Sequence, residues 1–121
     1  MTRNSDRLRN QLVAAMRKHL HTGARPAVPE AGQTLWQIFA SLSAKRTYHA
    51  SGPNPIAYAE IEAYARLHRW PLRPHHVEMI RALDQAWLDH AYAQMDSGDG
   101  KPPRRASGQA INAAAFDAVF G

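Results

Sequence analysis

The sequence contains no cysteine. That excludes disulfides, thiolate nucleophiles and cysteine-based zinc or iron–sulfur sites together, and it suits a reducing cytoplasm. Long apolar runs are also missing. Uncharged stretches such as 31–44 fall well short of the roughly 20 residues that cross a bilayer and contain Gln and Ser. The opening Met1-Thr2-Arg3-Asn4-Ser5-Asp6 leads straight into an amphipathic pattern, with no apolar signal core and no small-residue cleavage site. Neither a membrane span nor export by a signal peptide is expected. There is no run of alternating β-branched residues that would mark a strand, and no internal repeat. Glycine patterns that cradle phosphate are absent, as is a glycine-flanked serine elbow. Glu60, Glu62, Glu78 and Asp84 stand singly and are expected to be solvated, so nothing supports catalysis.

What remains is an ordinary globular composition: 121 residues, 45% hydrophobic and 21% charged, which is room for one domain with one core. The net charge of +5 is unevenly placed. Residues 1–25 carry Arg3, Arg7, Arg9, Arg17, Lys18 and Arg25 against Asp6 alone, while the rest of the chain balances nine basic residues with nine acidic ones. The excess therefore belongs to one segment. Arg3, Arg7, Arg9, Arg17 and Lys18 are candidate polyanion contacts, expected to give solubility or weak polyanion affinity rather than sequence recognition.

The hydrophobic spacing predicts an all-α fold, a small bundle of about four helices with a flexible C-terminal tail. Leu8, Leu12, Val13, Met16 and Leu20 form the inner stripe of a first helix within 1–23, with Ser5 as its expected N-cap and Gly23 as its stop. After an extended connector marked by Pro26, Pro29 and Gly32, the main helical core is expected over 34–95. Its first helix presents Leu35, Ile38, Phe39 and Leu42, widened by Trp36, and ends near Lys45 and Arg46, whose charges suit a helix C-terminus. A loop with Gly52, Pro53 and Pro55 follows. The next helix, about 57–68, offers Tyr58, Ile61, Tyr64, Ala65 and Leu67 as an inner face. Pro74, at a first helical position, opens the longest helix, which runs to about Met95 through Val77, Ile80, Leu83, Trp87, Leu88 and Ala91. Beyond it, 96–108 reads as a flexible polar linker rich in Gly and Pro. The last segment, 109–121, regains apolar residues at Ile111, Phe116, Val119 and Phe120, which are the candidate partner-binding residues or, alternatively, cap the protein's own core.

Seven histidines raise the question of metal. His75 and Glu78 are three apart, but the two-His, one-Glu helical spacing of metalloproteases is missing and no third ligand is evident, so no metal or other cofactor is expected. The last two core helices fit a helix-turn-helix poorly. Their connector is too long and rich in proline, and the second helix opens with His75, His76 and Glu78 where base-reading Arg, Asn or Gln belong.

One set of residues is similar to a known family. Leu35-Trp36 with Phe39, Leu42 and Arg46, the run from Pro55 to Leu67, the turn Leu72-Arg73-Pro74, the stretch from Ile80 to Leu88, and the ending Phe116-Asp117-Ala118-Val119-Phe120-Gly121 resemble small tailed-phage and prophage proteins of the tail assembly chaperone type. Ala57 departs from that pattern, standing where a Ser would complete a capping box with Glu60. The resemblance implies a non-enzymatic factor in the bacterial host cytoplasm. Such a factor binds the long helical tape-measure protein and helps recruit tail-tube subunits. The alternatives are a small regulatory protein that binds nucleic acid through the basic first helix, or a minor structural component of the virion.

Overall fold

Helix α1 (Arg3–Thr22) buries Leu12 and Met16, with Leu8, Val13 and Leu20 packed at the margin. It stops at Gly23, whose φ of +73° takes the chain out of the helix while its N–H donates to the His19 carbonyl at 2.9 Å. Ser5 is not its N-cap; the helix already includes Ser5, because the helical stretch begins earlier than the apolar stripe. The structure, a computed structural model, describes residues 3–97. The expected linker beyond Ser97 and the segment with Ile111, Phe116, Val119 and Phe120 lie outside the described residues.

A 3₁₀ turn at Glu30–Gly32 brings the backbone against α1. A Cβ at Gly32 would lie 2.6 Å from Leu12 Cδ2, so any larger residue would have to displace that buried side chain. Helix α2 (Gln33–Ser43) then buries Leu35, Ile38, Phe39 and Leu42, the predicted stripe, with Trp36 partly covered.

The segment expected to be only loop contains a two-stranded antiparallel ribbon, β1 (Tyr48–His49) and β2 (Gly52–Pro53). Strands of two residues carry no periodic signal. Ala50 and Ser51 make the turn back, Gly52 opens β2 at φ +148°, and Tyr92 clips the ribbon down. The Tyr92 hydroxyl donates to the Pro53 carbonyl at 2.9 Å and lies 3.1 Å from His49 Nε2.

Helix α3 (Tyr58–His68) and helix α4 (Pro74–Ser97) complete the fold. Proline opens α4 as expected, and the helix runs two residues into the predicted linker, through Asp96 and Ser97. It is the central element, packed against both α1 and α2, while α3 rests on α2. Met79, Ile80, Leu83, Ala86, Trp87 and Leu88 are its buried residues apart from one acid, Asp84. Ile56 and Met79 join the core without having been expected there. Among the described residues no helix is long and apolar enough to cross a membrane.

Candidate functional site

Two residues read as surface charges organise the interior. Arg46 does not face the end of α2 as a solvated cation; it is buried, and Asp84 is buried with it. One Arg46 amino group donates to Asp84 Oδ1 at 2.6 Å and to Ser43 Oγ at 2.8 Å, and the other donates to the Asn54 carbonyl at 2.8 Å. Its guanidinium carbon sits 4.0 Å from the centroid of the Trp87 ring. The second Asp84 oxygen accepts the Ile56 N–H at 2.9 Å. This pair ties the end of α2, the approach to α3 and the middle of α4 at one point, and so fixes where α3 starts.

Local chemistry shapes both ends of α3. At its start Glu60 Oε1 accepts the Ala57 N–H at 2.8 Å, the half of a capping box that does not need a hydroxyl. At its end Arg69 takes a left-handed conformation, φ 57° and ψ 38°. Trp70 N–H then reaches the Ala65 carbonyl at 2.8 Å and Arg69 N–H the Arg66 carbonyl at 3.3 Å, a Schellman closure on a residue other than glycine.

That closure turns Trp70 onto the flank of α3. Between α3, the connector and the start of α4 lies a groove of about 570 Å³, with Ile61, Ala65, Leu72 and Val77 as its apolar lining. Tyr58 and Trp70 also line it, and both remain exposed, at 52% and 38%. Tyr58 is held from α4: its hydroxyl donates to Glu78 Oε2 at 3.1 Å, and the Arg81 guanidinium lies 4.3 Å from its ring centroid. Glu62 and Arg66 supply the polar border.

These positions correct the expected inner face of α3. Ile61 is buried and Tyr64 packs at the core margin, but Tyr58 faces the groove and Leu67 is 80% exposed. At 100° per residue Leu67 lies about half a turn from Tyr58, so one face could not hold both. Trp70 lies in the connector between α3 and α4, outside any apolar stripe. Its one available signal was a large aromatic in a proline-marked turn, where no helix stripe accounts for it.

The basic candidates occupy α1. Arg3, Arg7, Arg17 and Lys18 are exposed. Arg9 is half-buried on the flank, 3.6 Å from Asp6. Among the described residues no three His, Asp or Glu side chains converge as metal ligands. Instead the histidines serve locally. His76 Nδ1 accepts the Arg73 N–H at 3.0 Å at the start of α4, and burial, reinforced by His75 and Arg73, lowers its pKa. His21 meets His90 edge-on at 5.3 Å, and burial followed by His21 lowers the pKa of His90.

A family model described as phage tail assembly chaperone matches residues 14–89, more than half of the chain. No curated protein and no solved structure matches it. The matched span runs from within α1 to within α4 and contains every residue of the groove, and on that match the chain belongs to the phage tail assembly chaperone family.

Proposed function

We propose that the protein binds an amphipathic helical segment of the tape-measure protein in the groove between α3 and α4 during tail assembly in the host cytoplasm. The observation that carries this reading is the pair of exposed aromatics, Tyr58 and Trp70, beside an apolar lining with a polar border. Helix-in-groove recognition uses such a surface: apolar anchors spaced three or four residues apart enter the trough, and charges at the edge set orientation. Aromatic side chains in such a position typically carry much of the binding energy. The role is one of contact and requires no reacting group.

The segment with Ile111, Phe116, Val119 and Phe120 is the proposed second contact, through which a tail-tube subunit is recruited. Its apolar residues, joined to the helical domain by a polar stretch, suit a segment that orders on a partner.

The test is a titration of helical peptides tiled along the tape-measure protein of the same phage. Trp70→Ala and Tyr58→Ala are each expected to weaken the best peptide by about 2 kcal/mol, some thirtyfold, with unchanged far-ultraviolet circular dichroism. Parental affinity in both variants would end the groove reading. Deleting 109–121 should leave peptide binding intact but reduce co-purification of the tail-tube protein; undiminished recovery of that protein would remove the second contact.

A further inference from the structure

The outward face of α1 takes no part in the groove, and its chemistry differs from that of the groove. Counting 100° per residue, Arg3, Arg7, Arg17 and Lys18 fall within an arc of about 100°, opposite the buried Leu12 and Met16. From Arg3 to Lys18 the stripe is about 22 Å long at the helical rise, the length of about six base pairs of duplex. Asp6, the single acid of α1, is already engaged by Arg9 on the flank. Among the described residues none of the four stripe cations has an acidic partner. Asn10 and Ala14, exposed, fill the space between them.

We propose that this face binds nucleic-acid duplex through its phosphates, without reading sequence. Three of the four cations are Arg, whose guanidinium fork pairs in a bidentate manner with phosphate and carboxylate oxygens alike. What favours phosphate over an acidic protein surface is that the stripe contains no aromatic or large aliphatic residue, and protein interfaces rely on such anchors for most of their energy. Asn10 is the one uncharged side chain there able to address a base edge, too few for readout. The proposal stands apart from the groove reading: α1 packs on α4 while α3 rests on α2, so the two surfaces belong to different elements.

The experiment is fluorescence anisotropy of the full chain with two labelled duplexes of unrelated sequence, each about 20 base pairs, titrated at several salt concentrations. Four neutralised phosphates give a slope of log affinity against log salt of about −3.6, hence about a hundredfold weakening between about 50 and 200 mM salt. The two duplexes should bind within a factor of about two of each other, since phosphate contacts carry no sequence information. Arg7→Gln and Arg17→Gln should each reduce the slope by about 0.9. Arg73→Gln, at the start of α4, should leave it unchanged. These exposed changes keep good helix formers, and circular dichroism verifies the fold. No binding at low salt, a slope indifferent to Arg7→Gln and Arg17→Gln, or binding to an acidic helical peptide but not to duplex would each overturn the proposal.

Discussion

Arg46 and Asp84 illustrate what a single pair decides. Both are buried and each is the other's ion-pair partner, so removing one leaves an uncompensated charge in the interior. Asp84→Ala is expected to destabilise the fold by about 3 to 5 kcal/mol in a denaturant titration, far more than the loss of an exposed carboxylate. The sequence shows Arg46 after Lys45 at a helix end and Asp84 alone on a helix, and both look like surface charges. Their partnership spans 38 residues of chain, and no local pattern encodes it. The histidines lead to a second expectation. His76 and His90 have pKa values lowered by burial from the usual 6.5. As pH falls below about 6.5 the unfolded chain takes up protons that the folded one resists, so stability declines through that window and is flat above it. Denaturant midpoints measured from pH 7.5 down to pH 5 should follow this course, with a shallower decline in His90→Gln. A midpoint that rose on acidification would contradict it.

Among the elements, those with strong apolar period were legible. The stripe of α2, the proline that opens α4 and the glycine that ends α1 follow from residue chemistry that acts within one or two turns. The ribbon Tyr48–Pro53 was not legible, because its pairing rests on a two-residue turn at Ala50 and Ser51 and on Tyr92, which arrives from α4. The inner face of α3 was half legible. Ile61 and Tyr64 face the core, but a short helix resting mainly on one neighbour leaves a second flank open, and spacing alone does not say which apolar residues that flank will carry. The C-terminal closure of α3 yields a prediction at this scale. Arg69 holds a left-handed conformation that disfavours any side chain with a Cβ. Arg69→Gly is expected to stabilise the protein by about 0.5 to 1 kcal/mol, the relief of that conformation less the added freedom of glycine in the unfolded chain. A thermal melt shows the sign; a lower midpoint would mean that the Arg69 side chain makes contacts outweighing the strain.

At the scale of the whole molecule, the family was legible from core and turn residues, whereas the groove was not. Its lining comes from α3, the connector and α4, three stretches that only the packing brings together. Because the groove and the basic stripe sit on different elements, they should be separable: Arg7→Gln with Arg17→Gln is expected to leave tape-measure peptide affinity within about twofold, given that distant sites without shared partners act additively. A peptide affinity that fell with the duplex affinity would show the two surfaces to be coupled.

The packing of α1 on α4 also has a consequence for the order of events at the ribosome. The apolar side of α1, with Leu8, Leu12 and Met16, finds its main cover on a helix that begins at Pro74. Synthesis proceeds N-terminal first at about 5 to 20 residues per second, so this face emerges several seconds before the partner that shields it. During that interval the nascent chain presents an uncovered amphipathic helix with a cationic back, and only translation through α4 lets the domain close.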